Sequence, residues 1–129
     1  MYKFEAKCSK CSYTFFAPSL GDLAYGEKIL NTVDGQEYRK VSAFDSFPQR
    51  LSQLLPEKYE KNYWDFLASF ADLVDGKRLI ANLVCPSCHS EKMKYWQGCR
   101  FDEEPIEIAS ATFSSSNDLP DAEIIKRFL

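Results

Sequence analysis

Apolar and polar residues alternate along the first third of the chain with the period of two that is typical of β-strands. The alternation predicts four short strands, over residues 2–7, 12–16, 27–33 and 37–43. The dipeptide Asp34-Gly35 lies between the last two strands and is favoured in two-residue hairpin turns. We therefore expect these two strands to form a β-hairpin.

The period changes to that of a helix in the middle of the chain. The segment Ser46–Pro48 is typical of a helix start, and this first helix is predicted to run to about residue 55. A second helix is predicted from Pro56 to a stop at Asp75-Gly76. The remaining pattern predicts strands over 78–84, 92–96 and 106–113, a loop over 114–118 and a short amphipathic helix over 120–128.

Two C-x-x-C pairs, Cys8–Cys11 and Cys85–Cys88, interrupt the predicted strands. Two residues between the cysteines make a tight turn that aims both sulfurs at one point. Two such turns can enclose a tetrahedral zinc ion with Zn–S distances near 2.3 Å. The sequence therefore predicts one structural Zn²⁺ site formed by all four cysteines.

The two C-x-x-C turns, which we call knuckles, resemble those of the zinc-ribbon (rubredoxin-knuckle) proteins. Pro86 stands in the second knuckle, as proline often does in that family. The resemblance covers residues 1–17 and 78–100, about a third of the chain, and implies a Cys₄ zinc ribbon with structural Zn²⁺. The spacer between the pairs is 73 residues, 12–84, where about 15–20 is usual. The ribbon would therefore carry the hairpin and both helices as an insertion.

These elements together predict a single α+β domain over residues 1–129. The zinc ribbon, from residues 1–17 and 78–100, forms one end. The insertion, residues 18–77, carries the hairpin and two helices, and residues 101–129 add a strand and a helix.

Other chemistries of the cysteines stay open. The segment CSKCSYTF resembles the iron-binding turn of rubredoxin, but Ser12 and His89 stand where that turn has glycine, which favours zinc over iron. The run Cys85–His89 also spells the c-type haem signature, and a lone C-x-x-C is also found in redox pairs, which need a following helix. We expect His89 to face solvent rather than to bind the metal, and Cys99 to be a packed small side chain.

Composition limits the class of protein. Hydrophobic residues are 45% and charged residues 27% of the 129 residues, which argues against a disordered chain. The net charge of −3 excludes a generally basic nucleic-acid coat. Because the N-terminal segment lacks the apolar stretch of a secretory signal and no apolar run approaches the roughly 18 residues of a membrane span, we expect a cytoplasmic protein with no membrane partner.

The sequence predicts a binding protein and no enzyme. It contains one histidine and none of the common nucleophile, P-loop or zinc-protease motifs. The first hypothesis is a protein-binding module, such as an inhibitor or immunity-type protein, because residues 18–76 and 101–129 together carry a net charge of −9 that suits a basic partner. Its candidate contact residues are Trp64 and the acidic run Asp102, Glu103 and Glu104.

The alternative hypothesis is nucleic-acid binding by the ribbon, in transcription or RNA processing. Residues 1–17 and 77–100 carry a net charge of +6, with aromatic residues between the lysines. Lysines that contact phosphates and aromatic rings that stack on bases are the chemistry this function needs. The candidate residues are Lys7, Lys10, Lys92, Lys94 and Trp96.

Overall fold

The computed structural model describes residues 2–19, 26–99 and 108–128. These residues contain six β-strands, four α-helices and one 3₁₀ helix. The chain is mixed α and β, as predicted, and its strands form two small antiparallel sheets. None of the helices in these described ranges has the length and apolar character needed to cross a membrane. The bounds are β1 Tyr2–Cys8, β2 Thr14–Ser19, β3 Glu27–Thr32, β4 Tyr38–Ser42, α1 Ser46–Leu54, α2 Tyr63–Phe70, β5 Leu79–Ile80, β6 Met93–Cys99, α3 Ser114–Asn117 and α4 Asp121–Lys126.

The first sheet, which we call the ribbon sheet, has the strand order β2-β1-β6, with β1 antiparallel to both neighbours. Since side chains alternate across a strand, Ala6 and Cys8 of β1 face inward and are fully buried. Phe15 and Ala17 of β2 lie on the same face and are also buried. These side chains and Cys85 form a small ribbon cluster, against which Tyr38 of β4 packs from the other sheet.

The central sheet has the strand order β4-β3-β5. The predicted strand over 78–84 is wrong in length, because the sheet pairs only Leu79 and Ile80 with β3. The Asn31 side chain explains the early end. Its Nδ2 donates to the carbonyls of Ile80 (3.1 Å) and Asn82 (2.7 Å), and its Oδ1 accepts from the Val84 N–H (3.1 Å). A buried side-chain amide thus replaces the backbone ladder.

The predicted two-residue turn at Asp34-Gly35 is wrong, because β3 and β4 are joined by a longer loop. Its ends are fixed by the Thr32 N–H, which donates to the Glu37 carbonyl at 2.9 Å. Inside it, the Asp34 carboxylate accepts from the Thr32 hydroxyl (2.6 Å) and forms an ion pair with Lys77 (2.6 Å). The same carboxylate accepts from the Gln36 N–H at 3.1 Å, so side-chain hydrogen bonds hold this longer loop.

The tight turn forms at the second Asp-Gly dipeptide. Asp75 and Gly76 both have positive φ (50° and 77°), and Val74 and Lys77 exchange two backbone hydrogen bonds. The second helix was predicted to reach this point. It instead begins as a 3₁₀ helix, Glu57–Asn62, continues as α2 and ends at Phe70.

The main core lies between the helices and the central sheet. Phe47 stacks on Phe113 with ring centroids 5.0 Å apart, and also packs against Phe70. Leu30, Leu51 and Leu67 are fully buried around them. Apolar residues from six elements, β3, β4, β5, α1, α2 and α4, therefore share one cluster. Their burial favours the folded state by about 25 cal/mol per Å².

The C-terminal segment departs from its prediction. Residues 106 and 107 of the predicted strand lie outside the described residues, and from 108 onward only a parallel bridge between Ser110 and Lys40 is formed. The predicted loop over 114–118 contains a helical turn, α3. Asp72 explains it, because its carboxylate accepts from the backbone N–H groups of Ser114 (2.8 Å) and Ser115 (3.0 Å) and caps this turn from another part of the chain.

Arg50 ties the last helix to α1. Its guanidinium pairs with the Asp121 carboxylate at 2.7 Å and donates to the carbonyls of Asn117 and Leu119. One side chain thereby satisfies the end of α3 and the start of α4. The predicted helix over 120–128 is confirmed over Asp121–Lys126.

Replacing Asp72 by Asn should destabilise the C-terminal segment. We expect the free energy of unfolding in urea to fall by about 1 kcal/mol, the size of a lost helix cap. The Thr112 hydroxyl and the Ser115 N–H hold the Asp72 carboxyl pKa well below its ordinary value of 3.8. The carboxylate's contribution is therefore complete above about pH 4 and lost at lower pH.

The matched control is Asp75→Asn, which removes the same charge from an exposed position in the neighbouring turn. The difference between wild type and D72N should shrink as the pH falls below 4. A difference that is equal for both variants, or independent of pH, would contradict the capping role.

Candidate metal centre

The structure brings the four predicted cysteines together. Their sulfurs all lie within 4.8 Å of one another. Cys8 Sγ and Cys88 Sγ are 3.5 Å apart, and so are Cys11 Sγ and Cys85 Sγ. A tetrahedral metal with metal–sulfur distances of about 2.3 Å requires sulfurs about 3.8 Å apart. The cluster therefore has the dimensions of a four-coordinate metal site.

The two knuckles repeat the same backbone geometry. In each, the second residue after the first cysteine donates its N–H to that cysteine's sulfur at 3.4 Å, Lys10 to Cys8 and Ser87 to Cys85. N–H donors of this kind stabilise thiolate, the form that binds metal. The knuckles are also joined directly, since the Ser9 N–H donates to the Lys92 carbonyl at 2.9 Å.

Ser12 and His89 occupy the position after each C-x-x-C pair. Both have φ of 64°, the left-handed conformation that favours glycine. Each donates its N–H to the carbonyl of the first cysteine in its knuckle. The glycines missing from the sequence are therefore replaced by residues that take up the glycine conformation. From the sequence alone, the missing glycines favoured zinc over iron. Because Ser12 and His89 adopt the same conformation, the missing glycines do not distinguish the two metals.

The first cysteine of each pair is more deeply buried than the second. Cys8 and Cys85 are fully buried in the ribbon cluster, Cys88 is half-buried and Cys11 is exposed. Hydrogen bonds from the Cys11 and Lys10 N–H groups lower the Cys8 pKa to about 6 against the effect of burial. The Ser90 N–H lowers the Cys88 pKa, but desolvation and the neighbouring sulfurs outweigh it and raise the pKa to about 12.

The donor set fits a structural metal ion. Four thiolates at these distances repel one another, and a divalent cation between them offsets that repulsion. Four cysteines fill a tetrahedral shell, so no position is left for a catalytic water. His89 is exposed and is not among the grouped ligands, in agreement with its predicted orientation. The Cys99 side chain lies outside what the structure describes.

The insertion supports the second knuckle through the β3–β4 loop. Gly35 has φ of 71°, and a Cβ built on it would lie 2.9 Å from the Val84 carbonyl oxygen and 3.2 Å from Pro86. The neighbouring Gln36 donates its Nε2 to the Pro86 carbonyl at 2.9 Å. The β3–β4 loop of the central sheet therefore fixes the backbone on both sides of Cys85, at Val84 and Pro86.

The other predicted contact residues are scattered. Trp64 is half-buried against the main core and stacks edge-on with Tyr63 at 5.0 Å. Residues 102–104 lie outside the described residues. Lys10, Lys92 and Lys94 are exposed around the knuckles, while Lys7 is half-buried on the outer face of β1. Trp96 is 68% exposed at the edge of the ribbon sheet.

Sequence reasoning missed the exposed Phe16 of the ribbon sheet, whereas Tyr95 is one of the aromatic residues that it placed between the lysines. Phe16 is 53% exposed, and Tyr95 is 36% exposed. They lie on the face of the sheet opposite Ala6 and Cys8, which we call the outer face. The signal was the alternation along β2, since a buried Phe15 requires Phe16 to point to the other side.

Comparison with known protein families, with curated proteins and with solved structures finds no match to this chain.

Removal of the metal at neutral pH should loosen the ribbon sheet. Two of the four ligands are also core residues of the ribbon cluster, and metal binding is coupled to folding in small sites of this kind. We expect far-UV circular dichroism to lose strand signal, and Tm to fall, after chelation. Unchanged spectra and Tm after complete removal, checked by elemental analysis, would contradict a structural role.

Cys11→Ser tests the ligand set within the same experiment, because Cys11 is exposed and its loss leaves no core cavity. We expect it to weaken metal retention, whereas Cys99→Ser, the matched control, should keep one metal per chain.

Gly35→Ala should weaken the metal site through its backbone support. Gly76→Ala is the matched control, since Gly76 has φ of 77° but nothing within 4 Å of a built Cβ. Both variants should lose about 1–2 kcal/mol from the left-handed backbone. Only G35A should also lower Tm further and release metal to a chelator faster. Equal effects would show that the loop does not support the knuckle.

Proposed function

We propose that the chain is a non-enzymatic binding module in which a structural zinc ion stabilises a Cys₄ ribbon. The ribbon's outer face would bind single-stranded nucleic acid. Zinc is the metal that four-cysteine structural sites most commonly hold, and the closed ligand shell argues for a structural role. The remaining question is which surface the ribbon presents.

The exposed aromatic residues of the outer face carry the proposal. Phe16 and Tyr95 extend from the two edge strands, on either side of β1. Lys7 lies between those strands on the same face, paired with Tyr95. Bases stack on aromatic rings while lysines contact phosphates, and this combination binds single strands with little sequence preference.

The Glu5 carboxylate lies at the centre of this face, where its negative charge would repel phosphates. Its hydrogen bonds reduce that repulsion. Its carboxylate accepts a hydrogen bond from the Tyr95 hydroxyl at 2.9 Å. This bond fixes the Tyr95 ring on the sheet. On β1, Lys3 and Lys7 lie on this face on either side of Glu5, so the lysines of this strand face outnumber its carboxylate although the chain as a whole is acidic.

A second candidate function is binding of a basic protein, as an inhibitor or immunity-type protein would. The observation that favours it is a cavity of about 540 Å³ between α1 and α2, lined by Glu57, Glu60, Tyr63 and Trp64 among others. Carboxylates beside aromatic rings suit a lysine or arginine side chain. Trp64 would form the wall of this cavity instead of projecting as an anchor.

Fluorescence polarisation with labelled U₈ tests the proposal. We expect binding whose affinity falls steeply with salt, because phosphate contacts release counterions. Phe16→Ala should weaken binding by about 1–3 kcal/mol, the contribution of one stacked base, and Lys7→Gln should reduce the salt slope by about one.

Phe44→Ala is the control for lost aromatic area, because Phe44 is 57% exposed but lies outside the ribbon sheet. It should leave binding unchanged. Absence of binding at low salt, or equal losses in F16A and F44A, would reject the outer face as the nucleic-acid site. The cavity with Glu60 and Trp64 would then be the better candidate.

A further inference from the structure

The hydrogen bonds of the central strand β1 determine which backbone groups the ribbon sheet leaves at its edges. The Cys8 N–H donates to the Tyr13 carbonyl at 2.9 Å and the Cys8 carbonyl accepts from the Ser12 N–H at 3.0 Å, both on the β2 side. The next residue, Ser9, donates its N–H to the Lys92 carbonyl at 2.9 Å, on the β6 side. Successive residues of β1 therefore bond β2 and β6 in turn, as expected for the alternating pattern of an antiparallel ladder.

This alternation shows which groups of β6 are not used by β1. The odd-numbered residues of β1 bond β6, so their partners Tyr95, Gln97 and Cys99 bond β1 in return. Trp96 and Gly98 lie between these partners and point their N–H and C=O groups away from β1. None of the described strands pairs with this side of β6. The regular part of β6, Tyr95–Cys99, thus forms an edge with two donors and two acceptors.

The opposite edge, strand β2, is blocked by a proline. By the same alternation Phe15 and Ala17 bond β1, and Pro18 points its backbone away from the sheet. Proline has no N–H to donate, and natural sheets use proline and charged residues to prevent pairing at an edge. The segment Tyr95–Cys99 of β6 contains neither. Of the two edges, β6 is therefore the one that can accept a further strand.

Trp96 gives the β6 edge a large apolar side chain. Its indole is 68% exposed, although it packs edge-on against the Phe4 ring with centroids 5.7 Å apart. Tryptophan is enriched among the residues that dominate protein interfaces. Gly98, two residues further on, leaves the backbone beside this ring without a side chain. The edge therefore has a projecting ring and a bare stretch of backbone on the same face.

We propose that β6 pairs in antiparallel fashion with the β6 strand of a second copy of this chain, around a two-fold axis at Gln97. This register places Trp96 of one copy opposite Gly98 of the other, so that all four outward N–H and C=O groups of each copy are paired. The indole covers the glycine backbone, an arrangement that stabilises glycines at sheet edges. An axis at Trp96 would instead pair Gly98 with Lys94, the residue that the β1–β6 register skips.

The two-fold pairing also ends at two copies. It joins two three-stranded sheets into one sheet of six strands, and both outer strands of that sheet are β2, whose edge carries Pro18. Each copy uses the same surface, as in most homodimers. The segment Tyr95–Cys99 is uncharged, so no like charges meet along its own length. This inference does not depend on nucleic-acid binding by the outer face.

Sedimentation equilibrium of the metal-loaded protein tests the association. We expect the mass to rise from 14.9 kDa toward twice that value as the concentration increases into the millimolar range. Trp96→Pro removes an N–H that points away from β1, so it should keep the ribbon sheet and abolish association. Trp96→Ala is the matched control, because it loses the same ring but keeps the N–H. It should weaken association by about tenfold, and both variants should retain one metal per chain.

A symmetric crosslink tests the register. Facing residues that do not exchange backbone hydrogen bonds have Cα atoms about 4.5 Å apart, within the range of about 4.4–6.8 Å that a disulfide spans. Gln97→Cys should therefore form a covalent dimer with glutathione disulfide, which is reduced to two glutathione molecules for each crosslink formed. Adding Cys99→Ser leaves the introduced thiol as the one cysteine outside the metal site.

Gln53→Cys in the same Cys99→Ser background is the matched control, because Gln53 is exposed on α1. Pairing raises the local concentration of the introduced thiols, so Gln97→Cys should crosslink about tenfold faster than the control. Equal rates would reject the register. A wild-type mass that stays at 14.9 kDa would overturn the proposal and leave the edge to a strand of a different protein. Association that survives Trp96→Pro would overturn it in favour of another surface.

Discussion

The convergence of four sulfurs is the constraint on which the rest of the structure depends. Cys8 and Cys11 are separated from Cys85 and Cys88 by most of the chain, yet their sulfurs lie within 4.8 Å. The entropic cost of closing a loop grows only with the logarithm of its length. A 73-residue spacer therefore adds little to the free-energy cost of bringing the two cysteine pairs together. Two of the four cysteines, Cys8 and Cys85, are buried members of the ribbon cluster, whose other buried members are Ala6, Phe15 and Ala17. A bound metal would thus supply stability that so few apolar residues cannot.

The central sheet is joined to the second cysteine turn at specific atoms. Gly35 approaches the Val84 carbonyl so closely that no side chain fits between them, and Asn31 bonds the Val84 N–H from the opposite side. The residue before the second knuckle is therefore held by the central sheet. A distortion of the β3–β4 hairpin should therefore displace Cys85 through Val84. Metal binding should in turn order the hairpin loop.

Local features were predictable from the sequence, and features set by distant partners were not. The paired C-x-x-C spacing identified the cluster because its geometry is contained in four residues. The two Asp-Gly dipeptides were locally equivalent, yet only Asp75-Gly76 makes the tight turn, because Asp34 is engaged by Thr32 and Lys77. The helical turn α3 was missed for the same reason, since its cap is a residue about 40 positions earlier.

The exposed outer face follows from how the ribbon is stabilised. A three-stranded sheet must cover one face to be stable, and here the cysteine cluster and Tyr38 of the central sheet cover the face that bears Cys8. The opposite face is then released from packing, and it carries Phe16 and Tyr95 where solvent would favour polar residues. Glu5 and Lys7 of β1 lie between these two rings, so the outer face is a mixed aromatic and charged surface and not a continuous apolar patch. Lys3 and Lys7 lie on this face on either side of Glu5, so a ligand that combines aromatic groups with negative charge would fit this face better than a positively charged one.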